Sequence, residues 1–437
     1  MPYPVMYAVR QWFPRENEAD VRAAVQRELR KLSPKLQVKP GARVGISVGS
    51  RGICSLATIV RSVVDGLHEL GAEPFIFPAM GSHGGGTAEG QAAVLHHYGV
   101  TEKAMGCPIK SSMAAVQIGQ SSEGIPVFLD RHASEADHVV VLNRVKAHTE
   151  FKGEIESGIM KMLLIGMGKH EGAKVYHKAF ADYGFDRLVE NLAHIVIDKA
   201  RILFALAIVE NGYQETALIC GLPPEEIVAA ERALLRKAKE QSARLLFDNI
   251  DILVVDEMGK NISGAGMDTN VIGRFYNFVA KESAKPRIKR IYVRDLTPDS
   301  LGNACGIGLA DFVHRVVVEK MDVHVTNTNC VTAVNPEKAR IPITCESDRE
   351  ALDLCFATIG LTAPEHARLI RIRNTLHLNE VDISESLFRE ISGRPNIEYV
   401  AGPAPLEIDA SGKLGPMLSA TNYTKQGSHE FHELHEE

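Results

Sequence analysis

Along most of the chain, apolar runs of strand length alternate with stretches whose apolar residues recur at helical spacing. Arg43–Val48 (RVGISV) reads as a buried strand. Ser55–Leu70 (SLATIVRSVVDGLHEL) reads as a helix that stops at Gly71, the residue type best suited to a left-handed C-cap. Glu73–Met80 (EPFIFPAM) is the next strand, Gly81–Thr87 a glycine-rich turn, and Thr87–Tyr98 a helix. Asp137–Arg144 and Leu203–Val209 read as further strands. Strands this continuously apolar are buried on both faces, so the pattern predicts an α/β fold of mostly parallel sheets flanked by helices.

Pro223–Leu245 reads as a long charged helix opened by Pro-Pro-Glu-Glu, and Asp251–Val255 (DILVV) then begins a second series. Ile288–Val293, Val323–Thr326 and Leu369–Ile372 read as its further strands. Gly302–Gly308 is a second glycine-rich turn, before a helix over Leu309–Met321. The chain has 437 residues, and single cores stop growing at roughly 250–300. Two α/β domains are therefore expected, residues 1–248 and 249–382, with the active site in the cleft between them. Residues 383–419 are read as a return to the first domain. Residues 420–437 are read as a disordered polar tail, in which His429, His432 and His435 belong to a solvated end and not to a metal site.

The formal net charge of -6 and an aromatic content of 6% leave no basic surface for a nucleic-acid backbone and no aromatic stacking channel. The most apolar long stretch, near Ile195–Val209, is interrupted by Asp198, Lys199 and Arg201, so no bilayer span and no membrane partner are expected. The N-terminus lacks a charged stretch followed by an apolar one, so no signal peptide is expected. None of the seven cysteines forms a Cys-x-x-Cys pair, which points to a reducing cytoplasm.

Three strand exits concentrate reactive residue types. Asn143–His177 carries His148, Lys161, Lys169, His170 and His177 among recurring glycines, at the end of a predicted strand, where open α/β sheets place ligands. Gly81–Thr87 (GSHGGGT) feeds a helix. Its Ser82, Gly84, Gly85, Gly86 and Thr87 can offer N–H groups to an anion, and His83 at its centre suits proton transfer near neutral pH. Ser47–Gly52 (SVGSRG) presents Arg51, whose fork can hold a carboxylate. The turns lack both the Walker ending and the dinucleotide fingerprint.

The succession SVGSRG, GSHGGGT, VKAHT, then a Gly–Lys turn and a later histidine, resembles the nickel-dependent lactate racemase family, in a divergent hydroxyacid racemase and epimerase branch. The resemblance implies a nickel-pincer nucleotide, a pyridinium mononucleotide with two thio-substituents, joined to Lys161 as a thioamide. It implies His177 as the nickel ligand, with His170 the competing assignment. His83 and His148 correspond to the two histidines flanking the substrate, and Arg51 to the arginine that orients it. Accessory enzymes that make the cofactor are implied partners, as is a small 2-hydroxy acid.

This sequence departs from the family in several places. Val48 stands where lactate racemases have an acid, and SGIMK replaces their lysine turn. Asp268–Tyr276 (DTNVIGRFY) lacks the lysine and glutamine that the family sets near substrate, so Arg274 and Lys260 are the substitutes. The function so implied is inversion of a 2-hydroxy acid by reversible hydride transfer, with two histidines as alternating bases. A one-face nicotinamide oxidoreductase, or a non-catalytic binder of a phosphorylated small molecule, would not need Lys161, His83 and His148 together.

Overall fold

In the computed structural model, residues 3–50, 52–276, 285–391 and 393–419 are described. The chain divides into one unit over Pro14–Ser242 and a second made of residues up to Phe13 together with those from Ala243 on.

The first unit is built on a five-stranded sheet in the order Glu73–Pro78, Arg43–Val48, His138–Arg144, Ile202–Glu210, Thr216–Leu222. The first four strands run parallel and the last antiparallel. Both faces are covered, and the side chains alternate between them. Val44, Ile46, Val140, Leu142, Phe204 and Leu206 pack with the helices Val21–Leu32 and Leu56–Glu69. Phe75, Phe77, Val139, Val141, Ala205 and Ala207 pack with the helices Phe185–Lys199 and Ile227–Gln241. Each large apolar side chain so buried contributes roughly 1.5–3 kcal/mol, which is why these strands read as uninterrupted apolar runs.

The second unit carries an eight-stranded sheet ordered Ile343–Cys345, Phe312–His314, Arg287–Val293, Asn249–Val255, Leu369–Ile372, Glu380–Ser384, Val5–Gln11, Ile397–Pro405. Its first five strands are parallel and its last three join antiparallel. The expected return of residues 383–419 to the first domain is corrected here. Glu380–Ser384 pairs with both Leu369–Ile372 and Val5–Gln11, and Ile397–Pro405 pairs with Val5–Gln11, so this stretch and the N-terminal strand complete the second sheet.

Two elements also differ from expectation. Val323–Thr332 is a helix and not a strand. Asp322 caps it through the Val325 N–H at 2.9 Å, and Thr326 and Cys330, one turn apart, form its buried stripe. The stretch read as one helix over Leu309–Met321 instead gives the short strand Phe312–His314 and the helix Arg315–Lys320, because Phe312 and Val313 pair with Tyr292 and Val293. The tail histidines lie outside the described residues. Among the described residues no helix is long and apolar enough to cross a membrane.

Candidate functional site

Because four strands of the first unit are parallel, the loops that leave their C-terminal ends share one edge of the sheet. Three of these loops carry the residues singled out from sequence. Glycines let them approach the turn after Lys161: a Cβ on Gly49 would lie 2.9 Å from Met162 Cε, and one on Gly166 would lie 2.8 Å from the Ala79 carbonyl. The Gly81 N–H donates to the Gly166 carbonyl at 3.2 Å.

Lys161 closes the short helical turn Ile159–Lys161, which continues as a π-turn over Met162–Gly166, a form frequent at functional sites. The turn is anchored from below. Asn143 Nδ2 donates to the Gly158 carbonyl at 2.7 Å, and Glu231 Oε2 accepts the Met160 N–H at 2.9 Å. Glu231 is fully buried and its Oε1 has no partner among the described residues. Burial pushes its carboxyl up to about 7, against the backbone N–H groups of Met160 and Ile159.

His148 is buried and stacks on Phe151 with ring centroids 3.8 Å apart, and Phe151 stacks in turn on Phe185. Its loop is organised by Glu156, whose carboxylate accepts the His148 N–H at 2.6 Å, the Gly153 N–H at 3.2 Å and the Lys239 ammonium at 2.6 Å. Nε2 of His148 meets Lys161 Nζ at 2.6 Å, while Nδ1 accepts the Glu150 N–H at 2.9 Å. A backbone N–H can only donate, so the neutral ring carries its proton on Nε2. That proton faces the lysine nitrogen, which accepts it only as an uncharged amine. The contact therefore favours a nucleophilic Lys161 amine over an ammonium.

His177, on the helix Lys169–Tyr183, reaches the same region: its ring stands edge-on to Phe180, which packs on Phe185. Burial pushes His177 down to about 4. At neutral pH its ring thus keeps a lone pair, the form that binds a metal. His170 lies at the start of this helix, and its Nδ1 is buried with no partner among the described residues.

His83 is exposed in its turn, with Nδ1 hydrogen-bonded to the Ser50 hydroxyl, and Tyr98 OH donates to the Ser50 carbonyl at 3.2 Å. Gly84, Gly85 and Gly86 all have left-handed φ. A Cβ at Gly84 would lie 2.7 Å from the Gln91 nitrogen, so only glycine fits there. Two of the N–H groups expected to face an anion are used inside the turn, Gly86 toward the His83 carbonyl and Thr87 toward that of Gly84. Thr87 caps the helix Ala88–His97 through the Gly90 N–H, and Ser82 is half-buried.

The structure thus brings His148, Lys161 and His177 into one aromatic-walled cluster and sets His83 on a neighbouring loop of the same sheet edge. Arg51 lies outside the described residues. In the second unit Arg274 is buried, with its guanidinium on the carbonyls of Leu309, Ile288 and Lys289 and on Asp311 at 2.8 Å, committed to holding the fold and not displayed to a ligand. Lys260 Nζ donates to the Gly264 carbonyl and to Asn329 Oδ1. That unit also has a cavity of about 1320 Å³ at the ends of its central parallel strands. The arginines lining it are already paired, Arg294 with Asp256 and Asp348, Arg371 with Asp256. Sequence reasoning missed Glu156, Glu231 and Phe151; the first two looked like ordinary surface acids in charged stretches.

Comparison with known proteins places this cluster in context. Residues 11–187 match the family described as the lactate racemase N-terminal domain. No curated protein sequence matches the chain. Among solved structures, the lactate racemase apoprotein from Thermoanaerobacterium thermosaccharolyticum is similar with a TM-score of 0.51 at 12% identity, covering 82% of this chain and 92% of that one. A protein from Thermotoga maritima is similar with a TM-score of 0.45 at 16% identity, over 62% of this chain and 70% of its own.

Proposed function

We propose that this chain, whose residues 11–187 match the lactate racemase N-terminal domain, is a nickel-dependent racemase or epimerase that inverts the 2-position of a 2-hydroxy acid. The observation that carries the reading is the contact of Lys161 with His148 beside a neutral His177. The residues fit the implied cofactor. An uncharged amine suits an acyl-type attachment. A pincer ring brings three donors of its own and asks the protein for one imidazole. Such an imidazole, that of His177, is present in the cluster with Lys161. Lys161 would carry the nickel-pincer nucleotide and His177 would hold the metal. Bound there, the group supplies a reversible hydride acceptor.

The remaining chemistry belongs to the chain. Inversion requires a hydroxyl proton to leave on one side of the substrate and to return on the other, so two proton carriers are needed. His83, whose Nδ1 meets the Ser50 hydroxyl, is proposed as one of them. His148 acts through Nε2 once Lys161 is capped. Cycling a proton there passes through the imidazolium, so the Glu150 N–H must then leave Nδ1. Arg51 is the proposed carboxylate partner. Free thiols at Cys54, Cys107, Cys220, Cys345 and Cys355 fit a reducing, cytoplasmic setting. The test is a screen of 2-hydroxy acids for stereoinversion, using protein co-expressed with cofactor-making enzymes and checked by intact mass and nickel content. A nickel adduct mapped to Lys161 together with inversion supports the reading; adduct-loaded protein that inverts none of them overturns it.

A further inference from the structure

Beneath the His83 turn lies a cation that the proposed chemistry does not use. Lys169 is completely buried, and its backbone takes a left-handed φ of 57°, a conformation that costs a non-glycine residue energy. Its nitrogen donates to the Pro78 carbonyl at 2.6 Å and to Gln91 Oε1 at 2.9 Å, and is ion-paired with Asp130 Oδ2 at 3.2 Å. Pro78 is the last residue of the strand that runs into the turn. Gln91 is fully buried as well, and its Nε2 donates to the carbonyls of Gly81 at 3.0 Å and of His83 at 3.2 Å.

The chemistry of the two groups makes this chain directional. An ammonium has donors only, so Gln91 must turn its oxygen toward Lys169 and hence its NH2 toward the turn. Were the amide reversed, its oxygen would face two carbonyl oxygens. Lys169 thus fixes the one amide orientation that clasps His83. Replacing a buried ion pair with apolar groups of similar volume is often neutral for stability, so stability alone does not account for a strained, buried pair at this place.

We propose that Lys169 and Gln91 are positioning residues that hold the Gly81–Gly86 turn and thereby aim the His83 imidazole. The functional consequence rests on the role proposed above for His83, but the positioning is measured without it. The experiment uses full-length protein labelled with 15N-histidine, the His83 signals being assigned with His83→Asn. Two variants are compared with the parent: Gln91→Met, which leaves the ion pair in place, and the charge-balanced double variant Lys169→Met with Asp130→Asn.

The parent should show well-separated Nδ1 and Nε2 shifts for His83, the mark of one tautomer held by Ser50. In both variants the two shifts should converge toward those of a mobile imidazole, and amide exchange over 81–87 should quicken about tenfold or more. The His148 shifts and the exchange of strand Ile202–Glu210 should stay put. Unchanged His83 shifts in both variants overturn the proposal, as does exchange that rises uniformly across residues 14–242. If the turn loosens as expected but the loaded parent inverts no hydroxy acid, the positioning stands and the racemase reading fails.

Discussion

Glu231 offers a quantitative test of the architecture under Lys161. Its carboxyl sits at 0% exposure on the helix Ile227–Gln241, with Oε2 on the Met160 N–H and Oε1 facing Gly158 so closely that a Cβ there would lie 2.3 Å away. Burial raises it from 4.5 to about 7. A raised acid is more protonated in the folded state than in the unfolded one. Its contribution is therefore fully present below about pH 4.5 and is lost as pH climbs through about 7. At roughly 1.36 kcal/mol per unit, 2.5 units amount to about 3.4 kcal/mol, of which about 2.5 falls between pH 5 and pH 8.5. Glu231→Gln removes the titration and keeps the shape. Its stability relative to the parent should thus rise by about 2.5 kcal/mol from pH 5 to pH 8.5, whatever the constant offset. The slowest-exchanging amides of strand Ile202–Glu210 report unfolding of this unit alone. A difference between variant and parent that is flat with pH would refute the argument.

Substitutions at the site should separate roles. Lys161→Ala should lose both the adduct and nickel, whereas His83→Ala and His148→Ala should keep them and lose inversion by about 10²–10⁴-fold; intact mass, metal content and turnover decide this. His177→Ala should keep the adduct mass but hold nickel weakly, and His170→Ala should leave nickel retention as in the parent. Arg274→Ala should destabilise the second unit by about 3–5 kcal/mol in urea unfolding with KM unaltered, because it strands Asp311 and three carbonyls. Glu156→Ala should cost about 1.5–3 kcal/mol for each charge-assisted bond lost and raise the amide exchange of His148 and Gly153, the two N–H groups it holds.

The innermost parallel strands of both sheets were legible because strands buried on two faces leave an uninterrupted apolar run, as at Arg43–Val48 and Asp251–Val255. Val323–Thr332 was not, since V-H-V-T alternates with a strand's period while the cap at Asp322 and the spacing of Thr326 and Cys330 set a helix. Nor does local pattern say which sheet a strand joins. Val5–Gln11 pairs with segments near the far end of the chain, Glu380–Ser384 and Ile397–Pro405. That choice is made by long-range edges seeking partners, and nothing in seven residues records it.

The site shows the same division in its chemistry. Histidines, a lysine and glycine turns at strand exits are visible in a sequence because their residue types are uncommon there. The groups that give them their properties are not. Glu156 and Glu231 are charged residues in charged stretches, and such residues are usually solvated, while Lys169, one of the residues singled out, gives no local sign of being buried. Here they are buried, and burial is what makes them act. A carboxyl group removed from water concentrates its hydrogen bonds on the N–H groups at hand, so Glu156 fixes the loop of His148 and Glu231 the turn of Lys161. An ammonium removed from water can only donate, so Lys169 dictates how Gln91 faces the turn of His83. Lys161 and the turn of His83 thus rest on buried groups from distant parts of the chain, Glu231 and Lys169, whereas His148 rests on Glu156 of its own loop.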